Sequence, residues 1–388
     1  MSTGRVLAID PQGGVLVWCD GRTETVPADQ TCAGLNAGDL VRWDGQSLVL
    51  LSRPDQPTRH GHPESEVNRL GADGGLRFRG LRERALVLKA TRAFFDQAGF
   101  VEIEAPAMAT CPGLEVHLDA ISAQLRQGMG GEPMTRWLIT SPEYHLKRLL
   151  VGGFQRIYSL GRAFRSGERG PWHNPEFTMA EWYRTDARYP AIVADVLALL
   201  TAAWEALAPQ LSTQRRQALA PLSDALSRPA INLPFRQTLR DAGVPDMDET
   251  DADALIAAFV EHVEPGLPRD RVVIIDRWPI CLASLARPFE DDPQTAERFE
   301  VYVCGVELAN GFTELTDATE QRRRFEADLA ERRRLGLPAY PIDERFLAAL
   351  REGCPPAAGV ALGMDRMVML LGGYEAIDQI IAFPFERA

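Results

Sequence analysis

The chain has 388 residues, 45% hydrophobic and 25% charged, which suffices to bury one large core and a smaller second one. Its formal net charge of −12 argues against a protein whose main task is gripping a nucleic-acid backbone over a broad surface. The longest apolar runs, such as residues 191–203, are interrupted by Asp195 and fall short of the roughly 20 residues a membrane span needs. Residues 1–10 lack a basic flank followed by an apolar block, so a cytoplasmic protein without a membrane partner is expected.

Residues 4–52 alternate short apolar runs (15–18, 40–43, 48–51) with turns at Asp20-Gly21, Gly38-Asp39 and Asp44-Gly45, the pattern of a small antiparallel barrel. A domain of about 1–55 is therefore expected. Its charges nearly balance, and no aromatic and basic stripe marks it as a single-strand binder. Residues 56–76, rich in Pro, His, Gly and charge, read as a solvated linker, His60 and His62 included. The main domain, 77–388, then opens with a helix carrying Leu81, Ala85, Leu88 and Phe95 and ending at Gly99.

A strand at 100–103 follows. Residues 154–160 and 177–182 read as a hairpin whose long loop holds Arg165, Glu168 and His173, a plausible cradle for a triphosphate. An insertion of about 190–270 begins with an Ala/Leu-rich helix over 190–217 and continues as a mixed, partly helical stretch. Residues 272–275 are a buried strand. Residues 299–303 and 306–310 form an antiparallel pair around Cys304-Gly305, and 360–362 is a last strand feeding the helix 364–371. Strands and helices without regular alternation favour α+β with a mostly antiparallel sheet.

Six cysteines (Cys19, Cys32, Cys111, Cys281, Cys304, Cys354) show neither C-x-x-C spacing nor a histidine at zinc-finger distance, and read as small core hydrophobes. Arg322, Arg323, Arg324, Arg332, Arg333 and Arg334 are interleaved with Glu320, Glu326, Asp328 and Glu331 at helical spacing, which favours a salt-bridged solvated face over a docking surface.

Three segments in order carry a resemblance. Residues 99–106 (GFVEIEAP) resemble motif 1 of class II aminoacyl-tRNA synthetases, residues 164–181 resemble motif 2, and 359–366 (GVALGMDR) resemble motif 3. The resemblance implies that family's antiparallel sheet flanked by helices over about 77–388, with the small β module outside it. Arg298-Phe299-Glu300 leading to residues 307–317 (ELANGFTELTD) is similar to the lysyl-tRNA synthetase branch. Residues 141–148 (SPEYHLKR) and the ending 381–388 are closer to a paralogous branch of ligases that attach (R)-β-lysine to a lysine of translation elongation factor P.

That resemblance implies roles. Arg165 and Arg366 match the arginines on the α- and γ-phosphates of ATP, where in-line attack at phosphorus concentrates negative charge. His173, Asn174, Glu307, Leu308 and Gly363 fall at nucleotide contacts. Glu300 and Glu307 would share Mg2+. Glu314 and Tyr183 would meet the terminal amine of a lysine-like substrate and Glu143 its other amine, with Ser141 and Pro142 shaping that wall and Asn310 orienting the carboxylate. One departure stands out: the branch places a glutamate two residues after the motif 2 arginine, whereas this chain has Gly167 there and Glu168 one later.

The expected reaction joins ATP to lysine or (R)-β-lysine as an adenylate and transfers the acyl group to an acceptor amine. Elongation factor P is the first candidate acceptor, because a tRNA ligase of the branch carries a much longer anticodon-binding barrel. A minimal lysyl-tRNA synthetase, a ligase for another carrier and a non-catalytic paralogue remain the alternatives. Motif 1 implies a homodimer.

Overall fold

The computed structural model describes residues 2–9, 12, 14–19, 22–27, 30, 34–54, 66–126, 128 and 130–388, with the side chains of 66–74 excepted. Cys32, His60 and His62 lie outside the described residues. The chain divides into two compact units, one of residues 1–85 with 378–388 and one of residues 86–377.

In the first unit, β1 (Ser2–Ile9), β2 (Val15–Cys19), β3 (Arg22–Val26), β4 (Leu40–Trp43) and β5 (Leu48–Ser52) form an antiparallel sheet of order β3-β2-β1-β4-β5. Alternation of period two sends Val15, Val17 and Cys19 to one side, where they join Val6, Val26, Val41 and Leu48 in a small core. The buried Asp39 carboxylate accepts from the Asn36 backbone N–H at 2.8 Å and pairs with Arg53 at 3.3 Å, so the charge under the sheet is not orphaned.

Helix α1 (Glu66–Gln97) begins well inside the stretch expected as linker. Its local sequence is polar and Gly-containing, which hides the helix from a periodicity argument. Tertiary contacts supply what propensity lacks: Arg77 donates to the Asp378 carbonyl at 2.7 Å and carboxylate at 2.8 Å. A Cβ at Gly80 would stand 2.1 Å from the Gln379 carbonyl oxygen, so only glycine allows that approach.

The second unit is built on an eight-stranded sheet. Its elements in chain order are β6 (Val101–Glu102), β7 (Met108–Ala109), β8 (Ser122–Arg126), β9 (Pro133–Leu138), α2 (Glu143–Val151), β10 (Arg156–Phe164), β11 (Glu176–Thr185), α3 (Tyr189–Leu207), α4 (Thr213–Ala218), α5 (Ala220–Ser227) and β12 (Ile231–Pro234). There follow α6 (Phe235–Asp241), α7 (Ala252–Ala258), β13 (Val272–Pro279), β14 (Thr295–Val303), β15 (Val306–Thr313), α8 (Ala318–Arg334), α9 (Glu344–Gly353), β16 (Ala357–Gly363) and α10 (Met364–Gly372). The sheet runs β12-β13-β14-β15-β16-β11-β10-β6, antiparallel except at its two ends, where β12–β13 and β10–β6 are parallel. A small sheet β7-β9-β8 stands apart. The α+β architecture expected from the sequence is thus present.

The hairpin β14–β15 turns at Cys304 and Gly305, both with positive φ (52° and 81°), the conformation of a tight primed turn. The segment 189–210 is long and apolar enough to cross a membrane by length and composition, contrary to the shorter run expected. In this fold its face of Val196, Leu199, Leu200, Ala203 and Leu207 is buried, α3 packs on β15 and β16, and Asp195 pairs with Arg184 at 2.9 Å.

The basic helix α8 departs from the solvated reading at two of its six arginines. Arg324, buried, donates to the Ala283 and Ala286 carbonyls. Arg332, fully buried, donates to the carbonyls of Glu115, Val116, Leu118 and Pro338 and pairs with Asp119 at 2.6 Å. Charge patterning cannot show this, because both residues are flanked by acids that satisfy the solvated reading equally well. Among the described cysteines, all unpaired, only Cys19 and Cys111 are buried; Cys281 is exposed and Cys304 and Cys354 are intermediate, so core packing accounts for two of them.

Replacing Arg332 with Met would leave four carbonyls and a carboxylate without their donor, at about 3–5 kcal/mol. At roughly 2–4 °C per kcal/mol for a domain of this size, thermal denaturation should shift down by roughly 6–20 °C. A shift under about 2 °C would contradict the clamp.

Candidate active site

The β10–β11 register, from Arg156↔Arg184 to Phe164↔Glu176, fixes where the intervening loop begins and ends. Arg165 leaves β10 with its N–H on the Pro175 carbonyl at 2.9 Å. Its guanidinium lies 5.1 Å from the Phe177 ring centre and donates to Glu168 at 3.3 Å, while its Nε is buried without a hydrogen-bond partner among the described residues. Gly167 has φ of +82°, a conformation that disfavours a glutamate at this position. The shift of the acid to Glu168 therefore follows from the turn, and it brings the acid onto Arg165. The Ser166 N–H donates to the Asp119 carbonyl at 2.7 Å, so the segment clamped by Arg332 also supports this loop.

Motif 3 meets the loop from β16. Asp365, buried at the start of α10, accepts the Thr178 N–H at 2.8 Å and locks α10 to β11. The next residue, Arg366, donates to the Glu307 carbonyl and carboxylate, both at 3.1 Å, and lies 2.6 Å from His173 Nε2. For Arg366 to donate there, His173 must be neutral with its proton on Nδ1. Burial and then the Arg366 charge both push the imidazole below its ordinary value, which favours the neutral form. Asn174 donates to the Glu176 carbonyl at 2.6 Å and shapes the loop exit. Leu308 is buried, and Gly363 ends β16 as the N-cap of α10.

Glu300 and Glu307 stand on β14 and β15. Glu300 Oε1 accepts from Arg298 at 2.6 Å and Oε2 from the Tyr302 hydroxyl at 2.8 Å, and burial pushes its carboxyl up to about 7. The Glu307 side chain is 37% exposed, and its Oε2 meets Arg366. Among the described residues, no three His, Cys, Asp or Glu side chains gather to hold a metal. Two carboxylates still suit Mg2+, which takes few ligands from protein and the rest from phosphate and water. Glu307 is the accessible member of the pair. Asn310 accepts from Arg298 at 3.2 Å and so belongs with this group.

A second cluster, of buried carboxylates, forms where α2 faces β11 and β15. Ser141 donates to Glu181 Oε2 at 2.7 Å and accepts the Glu143 N–H at 3.0 Å; Pro142 precedes the helix, its carbonyl accepting from His145 and Leu146. Tyr183 donates to Glu181 Oε1 at 2.6 Å. Glu314 is fixed by its N–H on the Ala357 carbonyl at 2.9 Å, and its carboxylate pairs with Lys147, which also holds Glu143. A Cβ at Gly359, opposite Tyr183 on β16, would stand 2.3 Å from the tyrosine ring and 3.0 Å from Glu314 Oε1. The adjoining cavity is lined by Gly113, Thr140, Ser141, Glu143, Tyr144 and His145, among others.

Two residues of this end escaped the sequence reading. Lys147 sits one helical turn after Glu143, and Glu181 two residues before Tyr183 on the same strand face; both spacings carried the signal. The structure brings Ser141, Glu143, Tyr183 and Glu314 together with them, and gathers Arg165, Glu168, His173, Arg366 and Glu307 at the other end.

The family model for class II tRNA synthetases (D, K and N) matches residues 78–387. Among curated proteins, the chain is 41% identical over 317 residues to an elongation factor P–(R)-β-lysine ligase of Hamiltonella defensa subsp. Acyrthosiphon pisum (strain 5AT), covering 79% of this chain and 95% of that protein. Ligases of the same name from Proteus mirabilis (strain HI4320) and Pectobacterium carotovorum subsp. carotovorum (strain PC1) are each 42% identical, over 316 and 312 residues, with the same coverage. With three motifs, their supporting sheet and these relatives in agreement, the chain belongs to the class II tRNA synthetase family.

Proposed function

We propose that this protein is a ligase that activates lysine or (R)-β-lysine with ATP and transfers it to a lysine side chain of translation elongation factor P. The observation that carries the reading is the juxtaposition along one sheet of a buried carboxylate pocket with a pair of half-buried arginines. The pocket suits ammonium groups, and the arginines suit phosphates. The names of the relatives support the acceptor.

In this reading Arg165 and Arg366 hold the phosphates, with Glu168, His173, Asn174, Leu308 and Gly363 shaping the nucleotide end. Glu307 and Glu300 would hold Mg2+, which supplies charge neutralisation on the phosphates when bound. Glu314, Tyr183 and Glu143 orient the substrate through its amines, and Asn310 helps place its carboxylate. That carboxylate attacks the α-phosphorus, pyrophosphate leaves, and the acceptor's amine then attacks the acyl carbon and displaces AMP. Orientation of the two reactants by the pocket and charge stabilisation by the arginines supply the rate. We place the protein in the cytoplasm as a homodimer formed through motif 1, with the β module of about 1–55 and the catalytic domain to residue 388 as its parts.

Incubating the full chain with ATP, Mg2+ and labelled lysine or (R)-β-lysine should label purified elongation factor P and leave bulk tRNA unlabelled. Label on tRNA alone would instead support a minimal synthetase, a reading the family description favours. Arg366→Ala should lower ATP–pyrophosphate exchange by about 10²–10³-fold, the loss of one preorganised charge donor, in a chain of unchanged circular dichroism. Exchange at the unsubstituted rate would remove Arg366 from the site. Gly359→Ala should raise KM for the amino acid by roughly 5- to 150-fold, the equivalent of a 1–3 kcal/mol overpacking cost, with KM for ATP little changed. Equal effects on both substrates would point to general unfolding.

A further inference from the structure

The amino-acid pocket has an unbalanced set of buried charges. Glu181, Glu314 and Lys147 are each no more than 2% exposed, and the Glu143 side chain is 12% exposed. Three carboxylates thus face one ammonium, an excess of two negative charges if all are ionised. Burying such an excess is costly unless a cation or a proton offsets it.

Every neighbouring group can be placed. From α2 come Glu143 and Lys147, with Tyr144 behind Glu143; from β11, Glu181 and Tyr183; after β15, Glu314; and Cys354 follows α9. Glu115 also faces Glu143, but it is exposed and has Arg165 and Arg298 beside it, so it stands outside the count of buried charges. Burial dominates on both inner acids and pushes Glu181 and Glu314 each up to about 8, with the Glu143 charge adding to it and Lys147 opposing it. Burial also lowers the basicity of Lys147, but Glu143 and Glu314 more than offset this, so it stays cationic. The Cys354 thiol, pushed up to about 11 by burial and Glu314, and the two tyrosine hydroxyls keep their protons. Glu181 already accepts from Ser141 and Tyr183, whereas Glu314 Oε1 is buried with no hydrogen-bond partner among the described residues.

We propose that the pocket exchanges a proton for its substrate: while it is empty, Glu181 and Glu314 hold one proton between them, and the two ammonium groups of an entering diamino acid displace that proton to solvent. Lys147 is the fixed cation that sets the count, leaving two negative charges for a substrate with two positive ones. The inference rests on the amino-acid reading of the site proposed above and adds the ionic state in which the site waits.

Titration calorimetry of the full chain with L-lysine at pH 7, in buffers of different ionisation enthalpy, should show about one proton released per lysine bound. The Kd should fall up to tenfold per pH unit between pH 6 and 8. Identical heats in all buffers with a flat Kd would overturn the exchange. A second measurement needs no ligand. A carboxyl raised in the folded chain binds a proton that the unfolded chain has already released, so stability should decline as pH rises from about 5 to 8. Glu181→Gln should make that decline shallower, and an unchanged slope would overturn the retained proton. A shallower slope without any binding of lysine or (R)-β-lysine would uphold the proton and overturn the amino-acid reading, and with it the exchange.

Discussion

Two backbone ladders meet at Gly359, which pairs with Tyr183 on β11 and with Phe312 on β15. A side chain there would stand inside the tyrosine ring, and one at Gly311 would stand 2.5 Å from the Gly359 carbonyl oxygen. The close packing of these strands lets Glu181 and Tyr183, neighbours on one face of β11, converge with Glu314 from a segment distant in the chain. Backbone hydrogen bonds, being directional and repeated, hold such a convergence more firmly than side-chain contacts could.

Around that sheet, buried charge is handled by explicit pairing. Glu297, fully buried, is met by two nitrogens of Arg188, and Asp365 by the Thr178 backbone. Arg332 turns a surface-type residue into a clamp on the segment that supports the motif 2 loop. These groups meet their partners within the scaffold and add order to it. The pocket proposed for the amino acid is different, since its carboxylates outnumber their partners, which is the expected signature of a site prepared for a cationic ligand.

The end proposed for the nucleotide follows the same principle with opposite sign. Arg366 rests on Glu307 and a neutral His173, and Arg165 on Glu168 and the face of Phe177. Each arginine is half-buried and oriented by partners weaker than a phosphate, so a polyanion can take over the contacts without first breaking a buried ion pair.

The sequence by itself determined the two long hairpins, the strands at 272–275 and 360–362, the motifs and therefore the family, because these depend on local alternation, turn chemistry and residue order; it did not show β7, β8, β9 or β12. It named Arg165, Arg366, Glu307, Glu314, Glu143 and Tyr183, which recur in recognisable short runs. It missed the start of α1 at Glu66, since a polar, Gly-containing helix has no periodic face to read. It also missed Lys147 and Glu181, and took Arg324 and Arg332 for surface residues. Only the tertiary structure decided these four, because whether a charged side chain is solvated or buried depends on which distant carbonyls and carboxylates the fold places beside it, and that placement is fixed by sheet register rather than by neighbours in the chain.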